Sequence, residues 1–163
     1  MKKIFLIPLL VCAAGLKVEA QEEVSVDSGY HYYELGNYKE AIVHFNKVIE
    51  EQPRNAEAFY LRGVCKSQLG SNKEAIMDYD SALKLQPEYP EVFFEKGYAY
   101  FHLNEFQKAI ASFDKALDQN PGYTEALVNR GSVKCIIGKK EEAENDWARA
   151  KELGAELPDF KCD

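Results

Sequence analysis

The chain has 163 residues, of which 46% are hydrophobic, and its formal net charge is −7. This length excludes a multidomain enzyme, and the content of large apolar side chains excludes a disordered chain. Nucleic acid is also disfavoured as a partner, because its binding rests mainly on Lys and Arg neutralising phosphates.

The first twenty residues have the pattern of a secretory signal peptide. Lys2 and Lys3 precede an apolar run over 4–16, and Ala20 provides a small residue before a cleavage point at Gln21. The run has 13 residues, whereas a membrane-spanning helix needs about 20, so cleavage is favoured over a membrane anchor. Removal of the signal would leave 143 residues with a net charge of −9. We therefore predict a bacterial protein that is periplasmic or secreted.

A lipid anchor on Cys12 is the alternative, because bacterial lipoprotein signals also carry a cysteine after a short apolar run. Val11 stands before it, where those signals require a small residue. No segment after Leu16 is long and apolar enough to span a bilayer. Contact with a membrane is therefore not expected once the signal is removed.

Five columns of residues recur every 34 positions along the rest of the chain. An internal repeat of this length predicts a stacked array of identical units. The predicted units are 22–55, 56–89, 90–123 and 124–157, with a tail over 158–163. The columns are Gly29, Gly63, Gly97 and Gly131; Ala41, Ala75, Ala109 and Ala143; Phe45, Tyr79, Phe113 and Trp147; Val48, Ala82, Ala116 and Ala150; and Pro53, Pro87 and Pro121.

Each unit has the apolar spacing of two helices. In the second unit Phe59, Gly63 and Lys66 follow one another at steps of four and three residues. Gly70 predicts the end of the first helix, and Pro87 the end of the second. We expect the small residues to let the two helices approach closely and the aromatic residue to fill the remaining space. Such a helix pair buries its apolar face only by stacking on its neighbours.

These columns resemble the tetratricopeptide repeat (TPR), a family of 34-residue helix-turn-helix units. Its members have small residues at positions 8 and 20, an aromatic residue at 24, a small or aliphatic residue at 27 and proline at 32. The resemblance implies an all-α fold, an α-solenoid in which four repeats form a right-handed superhelix. The family is a general interaction scaffold, so the resemblance is specific for fold and weak for function.

The first and last units depart from this pattern. Ser25 stands where the later units have a large apolar residue, which predicts a poorly packed opening helix. Glu144 and Lys151 stand where earlier units have Ile or Leu. The last helix is therefore expected to have a polar outer face that caps the array, and to end at Gly154.

In this family, positions 2, 5, 9, 12 and 13 of the first helices line a concave groove. Transferring these positions to the chain predicts a surface that is rich in aromatic rings through units one to three. Exposed apolar surfaces of this kind mark partner sites. The alternative is that some of the rings pack on neighbouring helices. The predicted groove residues are Tyr30, Tyr33, Tyr60, Val64, Gln68, Phe94, Tyr98, Phe101 and His102.

Position 2 holds a glutamate in every unit, namely Glu23, Glu57, Glu91 and Glu125. Carboxylates in a first turn suit the helix dipole whatever the function, and they could also attract a basic segment of a partner. The carboxylate-clamp members of the family, which grip acidic chaperone tails, need Lys and Asn at positions 5 and 9. Neither residue is present there, so the predicted ligand is an apolar or amphipathic protein segment.

The cysteines do not predict a disulfide framework. Cys65 and Cys135 lie two repeats apart, about 20 Å if adjacent helices pack normally, which is too far for a bridge. Both are expected to be small buried hydrophobes. Cys162 is predicted to be an exposed thiol that links two chains into a homodimer or has no role.

No catalytic constellation is found in the sequence. His31, His44 and His102 fall on different helix faces, and no phosphate-binding loop or nucleophile motif is present. We predict no enzyme activity, no metal and no cofactor. The predicted function is an exported scaffold that binds an apolar or amphipathic segment of another protein. The alternatives are a self-associating structural protein and an envelope-associated lipoprotein adaptor.

Overall fold

The computed structural model describes residues 24–157 and Cys162, and these residues form eight helices and no strand. The all-α prediction is confirmed. None of the helices in this part of the chain could cross a membrane. The predicted signal over 1–20, the lipidation alternative at Cys12 and most of the tail lie outside the described residues. The helices are α1 (Val26–Glu34), α2 (Tyr38–Glu51), α3 (Ala56–Gln68), α4 (Asn72–Leu85), α5 (Pro90–His102), α6 (Phe106–Gln119), α7 (Thr124–Ile136) and α8 (Lys140–Glu152).

Each unit turns between its two helices at a residue with a left-handed backbone conformation. Gly70 has φ 79°, and its N–H donates to the carbonyl of Ser67. The next N–H, that of Ser71, donates to the carbonyl of Lys66 and so satisfies a second free carbonyl at the end of α3. Glycine suits this conformation because it has no Cβ. Asn104 takes the same position in the third unit, with φ 59°.

The first helices of the units form an inner layer. Successive first helices, α1 with α3, α3 with α5 and α5 with α7, touch one another. Among the described residues, the second helices touch only first helices. Because the first helices lie closer together, they occupy the concave side of the stack. The chain is therefore an α-solenoid with α1, α3, α5 and α7 on its inner surface.

The two helices of each unit meet where an aromatic ring covers a glycine. A Cβ placed on Gly63 would lie 2.6 Å from the ring of Tyr79, and a Cβ on Gly97 would lie 2.7 Å from the ring of Phe113. The first and last units repeat this contact, with Gly29 against Phe45 and Gly131 against Trp147. The expectation that the aromatic column fills the space beside the glycine column is therefore confirmed.

The hydrophobic core is a series of clusters that neighbouring units share. Phe45 of the first unit packs in one cluster with Leu61 of the second. Tyr79 of the second unit packs in the next with Val92 of the third, and a similar cluster joins the third unit to the fourth. Each unit thus buries its apolar faces against its neighbours.

An arginine of the second unit joins three helices. Arg62 donates to both carboxylate oxygens of Asp78, at 2.9 and 2.6 Å, and to the amide oxygen of Asn46 in the preceding unit, at 2.7 Å. The side chain of Asp78 is almost fully buried. The interaction therefore joins α3 to α2 and α4 at once. The same arrangement recurs two units later in Arg130, Asp114 and Asp146.

The ends of the array differ from its interior as expected. Ser25 is the N-cap of α1, and its hydroxyl accepts the N–H of Asp27, so α1 has only nine residues whereas α3 has 13. At the other end, Glu144 and Lys151 are exposed on α8. Gly154 follows this helix with φ 88°. A short first helix and a polar last helix thus bound the stack.

The predictions for two of the cysteines were wrong. Cys162 is 5% exposed and forms a disulfide with Cys135, so it is not an exposed thiol that could link two chains into a homodimer. Cys135 is accordingly not a free buried side chain. The reason is that Cys162 packs on the last helix pair, beside Ala143 and Trp147, which brings the two cysteine Cα atoms to 5.4 Å. Cys65 is buried and free, as predicted.

Replacement of Gly63 by Ala is expected to reduce the free energy of unfolding by about 1–3 kcal/mol, because the new methyl group overlaps the buried ring of Tyr79. This figure is the net loss, after the gain of roughly 1 kcal/mol that alanine brings to a helix. Urea unfolding followed by circular dichroism measures the change. Gly122→Ala is the control, since a Cβ on Gly122 would lie 3.6 Å from its nearest neighbour, the side-chain oxygen of Asn120. Equal stability of the Gly63→Ala variant and the wild type would contradict this account.

Candidate functional site

The predicted groove residues lie on α1, α3 and α5, the inner helices that touch in a row. Val64 differs from the others because it is 4% exposed and belongs to the core cluster between the second and third units. It supports the surface from beneath. The other eight residues form the groove. Tyr30, Gln68, Tyr98 and His102 are exposed, and Tyr33, Tyr60, Phe94 and Phe101 are half-buried.

Two of the half-buried rings are held between helices. The ring centroid of Tyr60 lies 5.2 Å from that of Tyr89 and 6.5 Å from that of Tyr79. These contacts fix the orientation of the ring and leave part of it accessible. Packing on neighbouring elements therefore buries part of the surface of each such ring. The same arrangement recurs in the third unit, where the rings are Phe94, Tyr123 (5.0 Å) and Phe113 (5.8 Å).

The exposed rings stand in two clusters, one in the first unit and one in the third. Tyr30 is 44% exposed and lies 5.8 Å from Tyr33. Tyr98 is 37% exposed and meets the imidazole of His102 edge-on at 4.5 Å. Phe101 lies 5.5 Å from the same imidazole. Aromatic side chains are thus available to a ligand at both places.

Three further residues belong to this site and were not predicted. Tyr89 and Tyr123 each stand just before a first helix, 34 residues apart, so the repeat spacing contained a signal for them. Glu95 had no such signal. The sixth position of the repeat, where it lies, carries a different type of side chain in the second and fourth units.

Glu95 is a half-buried carboxyl group on α5. It makes no hydrogen bond or ion pair with any residue that the structure describes. Burial raises the pKa of this carboxyl to about 7, because loss of water penalises the charged form. Near neutral pH the group is therefore divided between its ionised and protonated forms.

Four tyrosine side chains lie within electrostatic reach of Glu95. Burial is the main cause that raises the pKa of each of them, and the Glu95 carboxylate raises it further. They belong to α1, α3, α4 and the residue before α7, so Glu95 lies where these elements approach α5. The four residues are Tyr33, Tyr60, Tyr79 and Tyr123.

Exposed glutamates stand in the first turns of three inner helices, where they suit the helix dipole as expected. They are Glu57, Glu91 and Glu125. Glu57 and Glu91 also reach Tyr89, because both raise the pKa of its hydroxyl after the larger effect of burial. The groove thus has a negative rim. Glu23, the first member of the column, lies outside the described residues.

The remaining side chains that could bind a metal or react chemically are dispersed. No cluster of three His, Cys, Asp or Glu residues that could hold a metal occurs within 24–157 and Cys162. His44 lies 3.1 Å from the hydroxyl of Ser28, away from the groove histidine. Burial raises the pKa of the Cys65 thiol to about 11, so it is protonated and weakly nucleophilic at neutral pH. The groove offers a ligand apolar rings, hydroxyl groups and carboxyl groups.

Replacement of Glu95 by Gln is expected to raise the free energy of unfolding at pH 8 by up to about 3 kcal/mol and to leave it unchanged below about pH 4.5. The pKa of Glu95 in the folded chain is about 7 and its ordinary value is 4.5. The wild type therefore has its full stability below pH 4.5 and loses stability as the pH rises through 7. Glutamine stays neutral and avoids this loss. Urea unfolding between pH 4 and 8 measures the difference.

The control for this prediction is Glu144→Gln, which removes a carboxylate from the exposed face of α8. Its stability is expected to run parallel to that of the wild type across the same pH range. A parallel course for Glu95→Gln as well would show that Glu95 is not desolvated.

Comparison with known proteins finds the same repeat. A sequence profile described as tetratricopeptide repeat matches residues 66–124 and 104–155, and a second, described as TPR repeat, matches 29–65. No curated protein matches the chain.

Solved structures share the fold. A crystal structure of MamA superposes with a TM-score of 0.76 and 25% identity, covering 78% of this chain and 75% of that one. A tetratricopeptide repeat protein from Parabacteroides merdae ATCC 43184 gives 0.73 and 24%, covering 82% and 53%. The first TPR of Spaghetti (RPAP3), bound to the HSP90 peptide SRMEEVD, gives 0.69 and 23%, covering 76% and 98%. Since the matching profiles together extend over most of the chain, it belongs to the tetratricopeptide repeat family of protein interaction scaffolds, which are generally not enzymes.

Proposed function

We propose that this chain is an exported interaction module without enzyme activity, and that its groove holds an apolar or amphipathic segment of another protein. The observation that carries the proposal is the presence of two exposed tyrosines, Tyr30 and Tyr98, beside half-buried rings on helices that touch in a row. Aromatic residues supply much of the energy at protein interfaces. A contiguous apolar surface with a polar rim is typical of an interaction site.

The proposed ligand differs from the peptide in one structural neighbour. The first TPR of Spaghetti is bound to SRMEEVD, which has three acidic residues. At the fifth and ninth positions of its first two units this chain has Val26, Tyr30, Tyr60 and Val64 instead of Lys and Asn. Val26, Tyr30 and Tyr60, which are at least partly exposed, favour apolar contacts over binding of a carboxylate, and Val64 is buried beneath them.

We also propose that the signal is cleaved after Ala20 and that the mature protein resides in the periplasm or outside the cell. The Cys135–Cys162 disulfide supports this proposal. Disulfides form and persist in oxidising compartments and are rare in the cytosol of most bacteria.

The groove is tested with a photo-reactive amino acid in place of Gln68, which is exposed on α3. Cross-linking in intact cells is expected to capture another protein. The double variant Tyr30→Ala and Tyr98→Ala is expected to reduce this capture at least about tenfold, because exposed aromatic residues are frequent hot spots. Both side chains are partly exposed, so the variant is expected to fold. Quantitative mass spectrometry of the cross-linked products measures the change.

The matched control is the double variant Val43→Ala and Met77→Ala. These residues are 62% and 69% exposed on the second helices α2 and α4, away from the inner layer. Capture by this control is expected to equal that of the wild type. Equal capture by the tyrosine variant would refute the groove as the binding site, and capture of only a second copy of the chain would favour self-association.

Export is tested on the protein recovered from the cell envelope or the medium. Its N-terminus is expected to be Gln21, and unreduced digests are expected to contain Cys135 and Cys162 in one linked peptide. A thiol reagent should reach Cys65 only after denaturation, since Cys65 is buried. An N-terminus well before Gln21 on the exported protein would refute cleavage after Ala20.

A further inference from the structure

We infer that the groove recognises a segment in which apolar residues flank a lysine or arginine, and that this basic side chain pairs with Glu95. The inference rests on the proposed function, because it specifies the chemistry of the segment that the groove holds. It starts from a carboxyl group for which the described chain provides no partner.

Glu95 is half-buried and makes neither a hydrogen bond nor an ion pair with the described residues. A carboxylate that is partly removed from water without a partner destabilises the state that contains it. A purely apolar ligand would remove still more water from Glu95. A cation on the ligand would instead replace the lost hydration by a charge-assisted hydrogen bond.

The lysine next to Glu95 in the sequence and an arginine on the neighbouring helix α3 are engaged elsewhere. Lys96 follows Glu95 in the sequence, but its ammonium group lies 2.5 Å from Asp80 of α4. Arg62 on the neighbouring inner helix is bound to Asp78. Both cations therefore face second helices rather than the groove. The described residues thus leave Glu95 without a cation, and a ligand can supply one.

The surroundings of Glu95 suit a long basic side chain. Tyr33, Tyr60 and Tyr123 are half-buried, and the charge of Glu95 raises the pKa of each of them after the larger effect of burial. The faces of aromatic rings attract cations within about 6 Å. The methylene groups of lysine or arginine can pack along the same rings while the charged end reaches the carboxylate. Carboxylate and rings thus form one site of the required chemistry.

The charge around the groove favours the same ligand. The exposed glutamates at the first turns of α3, α5 and α7 give its rim a negative potential. This potential attracts a basic segment and repels an acidic one, which affects both association rate and selectivity. Peptide SRMEEVD, with its three acidic residues, is therefore expected to be excluded.

The experiment begins with a phage library of random twelve-residue peptides, selected on the full chain and on Glu95→Gln. Peptides selected by the wild type are expected to contain Lys or Arg among apolar residues. On Glu95→Gln the enrichment of basic residues is expected to fall to the library frequency, while the apolar enrichment remains. Circular dichroism verifies that the variant is folded.

One selected peptide is then synthesised in two forms, with lysine and with uncharged norleucine at the basic position. The lysine peptide is expected to bind the wild type at least about tenfold more tightly than the norleucine peptide. Hydrogen bonds to charged groups contribute more free energy than hydrogen bonds between neutral groups. On Glu95→Gln the ratio should fall below about twofold. Glu144→Gln, which removes a carboxylate from the exposed face of α8, should keep the full ratio of the two affinities. SRMEEVD serves as the acidic probe and should not bind.

The outcomes separate this inference from the proposed function. If norleucine and lysine peptides bind the wild type equally, or if the ratio persists on Glu95→Gln, the inference is wrong although the groove still binds apolar segments. If no selected peptide is weakened by the double variant Tyr30→Ala and Tyr98→Ala, the groove is not the binding surface, and both the proposed function and the inference are refuted.

Discussion

The close contact between a glycine and an aromatic ring is the constraint on which the rest of the structure depends. At each of its four occurrences a single added carbon would lie only 2.6 to 2.7 Å from the ring, so the separation of the two helices is fixed within narrow limits. Because the contact recurs at the same place in every unit, the units have similar shapes and stack in a regular way. The inner helices can then touch in a row along one side of the stack.

Features that repeat leave a signal in the sequence, whereas two features that occur once, the disulfide and the environment of Glu95, were not predictable. The fold follows from the columns, since each unit makes the same packing contacts and each column reports one of them. The partial exposure of Tyr60 and Phe94 depends on Tyr89 and Tyr123, which also recur at the repeat spacing. The Cys135–Cys162 disulfide depends instead on where the tail lies, and no column describes the tail. Glu95 escaped prediction because its environment, rather than its spacing, makes it unusual.

Several groove residues contribute to stability as well as to the surface. The ring of Phe94 packs against the buried ring of Phe113 while part of it remains accessible, and Tyr60 has the same relation to Tyr79. Truncating either ring would remove core contacts as well as contacts to a ligand. Tyr30 and Tyr98 are less involved in the core because they are more exposed. Substitutions at the exposed rings therefore separate an effect on binding from an effect on stability more cleanly than substitutions at the half-buried rings.

Glu95 makes the charge of a ligand and the binding of a proton interdependent. With a pKa of about 7, the carboxyl is roughly half protonated at neutral pH, so a cationic ligand finds only part of the population ionised. A nearby cation lowers the pKa of a carboxyl, so binding would release a proton and would weaken as the pH falls below 7. The surrounding tyrosines stay neutral in this range, because burial and the Glu95 carboxylate raise the pKa of each hydroxyl. An apolar ligand would bury Glu95 further and favour its protonated form. One carboxyl can thus discriminate between two ligands that the aromatic rings alone would accept equally.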